Sequence, residues 1–204
     1  MLTDQEYKKL YQPKNQPVII NVPKMRFITI EGTGNPNHEE FARATEALYT
    51  ISYAIKMSYK KPNPPAGYYT YKVFPLEGFW DLVDKSIAST NKDNYAYKLM
   101  IQQPDFVNEK VFNDFLKQVI SKKDNPMLMK LHYEEIEEGL CCQMLHLGSY
   151  DLEPSSFQMM ESYCEQEGYM RASKLHKEIY LSDPRKTEPE KLKTILRFKV
   201  NKNI

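Results

Sequence analysis

The chain has almost no net charge. Its 28 lysines and arginines face 27 aspartates and glutamates, a formal +1 over 204 residues. Without a strong field, nothing draws it to nucleic acid or to an anionic membrane surface, and neither partner is expected. No apolar run approaches the ~20 residues that a bilayer-crossing helix needs. The opening Met-Leu-Thr-Asp-Gln-Glu is polar and acidic where a secretory signal requires a basic and then an apolar stretch, so a cytoplasmic location is expected. Cysteine is scarce as well. Three residues, two of them adjacent at Cys141 and Cys142, form no disulfide framework, and neither they nor the four histidines have metal-ligand spacing. Buried, reduced thiols without a nucleophilic role are expected, with no metal and no cofactor.

Tryptophan is nearly absent, whereas tyrosine is abundant: one Trp, nine Phe and fifteen Tyr. A tyrosine offers an apolar ring face and a hydroxyl on one side chain, which suits a surface that holds aromatic ligands. It is also a favoured strand residue, and most of the fifteen are expected simply to line strands.

The hydrophobic pattern divides the chain into two halves with one plan. In the first, residues 25–31 read as a strand, 32–37 as a turn, and Asn37 with Glu40 as a helix start. Phe41, Ala44, Leu48, Ile51 and Ile55 then recur at helical spacing, with Tyr49 and Tyr53 beside that stripe, one turn apart. The proline-rich stretch 61–67 is a loop. A hairpin is predicted next, 69–74 with 79–85 about a Pro75-Leu76-Glu77-Gly78 turn, then a strand over 95–102 and a helix ending near Ser121. In the second half, 141–147 reads as a strand, 148–151 as a turn, and Phe157, Met160 and Cys164 as a helix closed by Gly168. Strands over 176–181 and 193–200 follow.

Nine residues separate Gly32 from Phe41 and Gly148 from Phe157, so the repeat is one of spacing. It predicts an α+β fold of duplicated strand-helix-strand-strand lobes: a first lobe over 24–124, a second over 127–204, and an N-terminal extension over 1–23. A concave surface between two such lobes, a cup floored by antiparallel sheet, is a common place for a small ligand.

Strand alternation puts His176, Glu178 and Tyr180 on one face, with Ile179 and Leu181 on the other. If both faces are covered, Glu178 is kept where desolvation is costly, and it should then bind or activate something. A carboxylate among ring faces attracts a cationic ligand; it could equally take a proton from water. Tyr180 could donate its hydroxyl to a ligand carbonyl. Glu77 would be the counterpart of Glu178 if the halves superpose. Trp80 is either a stacking platform or a core plug, and Tyr49, Tyr53, Tyr95 and Tyr97 are candidates for an aromatic wall. Met144, His146 and His176 complete the candidate ligand-binding set.

Several unusual strings occur in order: Pro75-Leu76-Glu77-Gly78-Phe79-Trp80, Gln103-Pro104-Asp105-Phe106-Val107, His146-Leu147-Gly148-Ser149-Tyr150, and His176 through Arg185 continued by Glu188 through Ile195. Together they resemble the stand-alone GyrI-like proteins, a gyrase-inhibitor-like small-molecule-binding superfamily, over almost the whole chain from about Lys24. The resemblance implies a duplicated fold that cups amphipathic, aromatic and often cationic compounds, in the manner of multidrug-binding domains. Multidrug-sensing regulators carry this module behind a DNA-binding domain; the two dozen residues ahead of the first strand here are expected to be too few for one. Certain stand-alone members resemble hydrolases that open the cyclopropane of DNA-alkylating natural products.

The chain departs from its relatives where Tyr95 and Tyr97 stand in place of tryptophans, where Asp81 replaces an aromatic, and at Ser149, often proline. The pocket should be smaller and more polar for it. The functional expectation is capture of hydrophobic aromatic small molecules in xenobiotic or toxin protection. The alternatives are a cofactor-independent cyclopropanoid hydrolase, with Glu178 and Tyr180 as its catalytic pair, and a protein-binding adaptor.

Overall fold

A computed structural model describes residues 3–203. It is an α+β protein of antiparallel strands and four α-helices among the described residues. The strands are β1 (Val18–Thr33), β2 (Leu76–Leu82), β3 (Tyr95–Gln103), β4 (His132–Leu147), β5 (Tyr169–Arg171), β6 (His176–Tyr180) and β7 (Lys193–Lys202). The helices are α1 (Asp4–Tyr11), α2 (Glu39–Lys56), α3 (Glu109–Ile120) and α4 (Glu153–Gln166). The order strand, helix, strand, strand occurs twice, as β1-α2-β2-β3 and as β4-α4-β6-β7, with β5 inserted.

Two compact units result, one of Met1–Lys24 with Glu137–Ile204 and one of Met25–Ile136. They differ from the expected lobes in two places: residues 3–23, expected as an extension, are structured, and residues 127–136, expected in the second lobe, fall in the unit of Met25–Ile136. Thr3 accepts from the Glu6 N–H while Glu6 reaches back to the Thr3 N–H, a reciprocal cap that starts α1. Leu10 and Tyr11 at the far end of α1, and Ile20 and Val22 in β1, are buried. Met1 and Leu2 of that extension, and Ile204 of the second lobe, lie outside the described residues.

In the unit of Met25–Ile136, β3 is paired on one side by β1 (Arg26↔Gln103 to Thr33↔Ala96) and on the other by β2 (Leu76↔Ile101 to Leu82↔Tyr95). α2 buries Ala44, Ala47, Leu48, Ile51 and Ile55, the predicted stripe with Ala47 added. Phe41, at the head of that stripe, is only half-buried. The predicted hairpin is corrected: residues 69–75 form no regular structure, and Pro75-Leu76-Glu77-Gly78 is no turn, because Leu76, Glu77 and Gly78 are already in β2. Gly78 serves close approach, since a Cβ there would lie 3.0 Å from the Trp80 indole nitrogen.

In the other unit, β7 is the shared strand, paired with β4 (Cys141↔Lys199 to Leu147↔Lys193), β6 (Lys177↔Arg197 to Tyr180↔Thr194) and β5 (Tyr169↔Lys202 to Arg171↔Val200). Cys142, Met144, Met160, Cys164, Leu196, Phe198 and Val200 form a core cluster here. Beneath α1 lies a buried charge network. Glu138 accepts from Lys177 at 2.7 Å and from Arg197 at 3.1 Å, and Arg197 also donates to Gln143 and to the Leu10 carbonyl. The face of β6 opposite Glu178 is therefore not uniformly oily: Lys177 is fully buried beside Ile179, neutralised by Glu138.

Candidate functional site

The predicted face of β6 carries a cluster of acids and phenols. Glu178 is 9% exposed, although it sits in the middle of a short strand. The Tyr180 hydroxyl donates to its Oε2 at 2.7 Å, and His176 Nε2 lies 3.2 Å from its Oε1. The His176 Nδ1 faces the Lys174 carbonyl, which can only accept, and the ring meets the Phe157 ring edge-on at 4.8 Å. Alternation thus delivers all three side chains to one place.

A second carboxyl, which strand periodicity does not mark, completes the cluster. Glu153 opens α4, is 7% exposed, and lies close enough to Glu178 for the two carboxyls to act on one another. Its Oε1 is buried without a hydrogen-bond partner. Burial first, and then the adjacent Glu178 carboxyl and the charge of Asp151, raise the Glu153 carboxyl well above the usual range. Burial outweighs the positive end of the α4 dipole, which would favour the ionised form. The protonated form of Glu153 is thereby favoured, and the pair places two carboxyls of unlike environment side by side.

Tyr150 joins them from the single 3-10 turn before α4, edge-on to the Tyr180 ring at 6.2 Å. Burial, then the charges of Glu178, Glu153 and Asp183, push its phenol up to about 12, so it is a neutral donor.

His146 fixes the path from β4 into α4. Its Nε2 lies 3.0 Å from the Ser149 carbonyl and its Nδ1 2.8 Å from the Ser156 hydroxyl. A carbonyl only accepts, so Nε2 bears the hydrogen, and both ring nitrogens are engaged in holding the turn that carries Tyr150 and Glu153. Gly148 permits that turn at φ 120. Met144, two residues earlier on the same strand, packs in the core cluster with Met160 and Leu196. Neither His146 nor Met144 joins the acid cluster.

In the other unit, Trp80 is buried in a nest of rings: Phe41 stacked at 5.8 Å, Tyr95 edge-on at 5.7 Å and Tyr97 at 5.5 Å. Tyr97 lies over Gly32, where a Cβ would come within 2.5 Å of the phenol oxygen, so this glycine makes room for the ring. Phe41, a stripe residue by sequence, is thus a member of the aromatic nest. Glu77 is fully buried in β2 opposite Met100, not in a hairpin turn. Tyr49 and Tyr53 pair with each other on α2 at 6.3 Å, and Tyr53 is about half-exposed.

The cysteines have no nucleophilic character. Burial pushes the Cys141 thiol up to about 12 and raises Cys142 and Cys164, so the reactive thiolate is suppressed. Surface recesses of about 270 and 650 Å³ open elsewhere, and neither has Glu178 in its wall. No helix among the described residues is long and apolar enough to cross a membrane.

Comparison with known proteins gives the family and the fold. Residues 15–200 match the sequence model of the GyrI-like small molecule binding domain. A crystal structure of an uncharacterized conserved protein from Listeria innocua is 39% identical, with a TM-score of 0.90, over 97% of this chain and 98% of its own. A crystal structure of a hydrolase from Listeria innocua is 38% identical, with a TM-score of 0.88, over the same shares. The EcmrR C-terminal domain shares the fold alone, at 14% identity and a TM-score of 0.53 over 92% of this chain and 98% of that one. No curated protein matches the chain.

Proposed function

The chain belongs to the GyrI-like small-molecule-binding family, and from that premise we propose that the Glu178 cluster is where it captures amphipathic, ring-bearing compounds, cations among them. The carrying observation is a nearly buried carboxylate, Glu178, held by the Tyr180 hydroxyl and by the His176 ring. Water is largely excluded from it, so its attraction for a cationic head is less screened than at an open surface. Phe157, Tyr150 and Tyr180 supply ring faces for the apolar body of the ligand. A role in protection from xenobiotics or toxins fits such broad chemistry, and a cytoplasmic setting fits such a role.

A second reading, hydrolysis of a cyclopropane-bearing electrophile, is favoured by the Glu153–Glu178 pair, and a relative described as a hydrolase supports it. Glu178 would take a proton from water as the water oxygen bonds to the strained ring carbon. The ring C–C bond breaks toward a conjugated carbonyl, whose oxygen is polarised by the Tyr180 hydroxyl, turned from Glu178, and takes the proton that Glu178 removed from water.

Titration calorimetry with N-methylacridinium and with neutral acridone, on the parent and on Glu178→Gln, tests the first reading. The cation should bind the variant about tenfold more weakly while acridone is unaffected. Equal affinity for the cation would remove Glu178 from the site. Incubation with a cyclopropane-fused indole separates the readings. A product heavier by one water, formed by the parent and not by Glu178→Gln, establishes turnover; saturable binding without product establishes capture.

A further inference from the structure

The tyrosine excess has a second concentration that the Glu178 cluster does not use. After α2 the chain makes a single 3-10 turn, a proline-rich loop and the irregular run that replaces the predicted hairpin. Tyr68, Tyr69 and Tyr71 of that run pack on Phe106 at 5.2, 5.4 and 5.9 Å, and Tyr59 sits 6.4 Å from Tyr68. Tyr68 donates to the Lys56 carbonyl at 2.6 Å, which ties the run to the end of α2. The rings thus form a wall held by its own packing.

Beside this wall opens a recess of about 650 Å³ lined by Lys56, Tyr59, Tyr68, Thr70, Tyr71 and Lys72. That volume suits a small organic molecule. Its lining contains two cations and no carboxylate. Lys56 stands 5.7 Å from the Tyr53 ring, and neither Lys56 nor Lys72 has an acidic partner among the described residues. Asp105 bonds Tyr69 and is not in the lining. Burial raises the Tyr68 and Tyr71 phenols, so neither adds negative charge. The Tyr71 hydroxyl, moreover, is buried without a hydrogen-bond partner, an arrangement that calls for one.

Charge and shape select the occupant. An anion placed over a ring face meets the negative side of the quadrupole, so the anionic head must go to the lysines while a flat apolar body lies on the tyrosines. We propose that this recess binds a flat aromatic carboxylate, with its rings on Tyr59, Tyr68 and Tyr71 and its anion at Lys56 and Lys72. The site is distinct in residues and in charge preference from the Glu178 cluster.

The test uses the full chain and 2-naphthoate, followed by amide chemical shifts at low ionic strength, with 2-naphthylmethanol and 2-naphthylmethylammonium as neutral and cationic counterparts. Naphthoate should perturb residues 56–72 and bind more tightly than either counterpart. In the Lys56→Gln/Lys72→Gln double variant, Lys72 being exposed and Lys56 half-buried, its affinity should fall about tenfold while that of the neutral alcohol stays the same. In Glu178→Gln it should be unchanged. The proposal is overturned if naphthoate shifts no residue in 56–72, if the double variant binds it as tightly as the parent, or if the ammonium counterpart perturbs the same residues equally.

Discussion

At the scale of single residues, Glu153 is the position where placement overrides type. By sequence it is an ordinary acid at a helix start. Tertiary contact makes it a buried acid whose protonated form is favoured beside Glu178. Its folded pKa is raised above the ordinary 4.5, so the unfolded chain releases this proton first. The proton-bound form favours folding below about 4.5, and that contribution is lost as pH rises toward the folded value. Glu153→Gln should therefore match the parent in thermal stability near pH 4 and exceed it increasingly toward neutrality. Melting curves across that range check this, and a gain that did not grow with pH would mean that the acid is not buried against Glu178. Glu178 itself was legible because its strand neighbours announce the face it shares with His176 and Tyr180. Glu153 was not, because it approaches through a turn that His146 and Ser156 hold, and that hold spans ten residues of chain.

Among the elements, β2 shows where local pattern misleads. Pro75 and Gly78 look like turn residues, yet the strand begins between them, and Gly78 is there to admit the Trp80 ring. Gly32 in β1 makes the same accommodation for Tyr97, whose ring is wedged against Phe41 and Trp80 and cannot swing away without disturbing both. Gly32→Ala should cost about 1–3 kcal/mol through this overpacking. Urea denaturation measures the loss. Since Trp80 is the one tryptophan, its emission should shift in the folded variant, and an unchanged spectrum with unchanged stability would show that the ring has room. The stripes of α2, α3 and α4 were legible, since each helix buries one face at 3.6-residue spacing, but the start of α2 was not: it follows His38 with no side-chain cap, in place of the expected Asn37 start.

For the molecule as a whole, the buried network about Glu138 joins sequence-distant segments within one unit. Arg197 near the C-terminus donates to the Leu10 carbonyl of α1, and Gln143 of β4 donates to the Lys9 carbonyl. Lys177 and Arg197 share Glu138, whose carboxyl is held below its ordinary range by those two cations despite burial. That stabilisation is present above about 4.5 and is lost as pH falls through the lower folded value. Glu138→Gln removes the counter-charge of two buried cations and should lower stability by about 3–5 kcal/mol. It should also speed hydrogen exchange in α1; a loss below about 1 kcal/mol would show that the cations are satisfied without it.

Residue order alone determined the α+β class, the doubled strand-helix-strand-strand plan and the shared face of His176, Glu178 and Tyr180. Each follows from periodicities that act over a few neighbours. Tertiary structure decided that residues 3–24 belong with the C-terminal elements, that β2 begins at Leu76, and that Glu153 meets Glu178. The physical reason is common to all three. Each depends on which distant groups exclude water from a given atom, and that is a property of packing rather than of spacing along the chain.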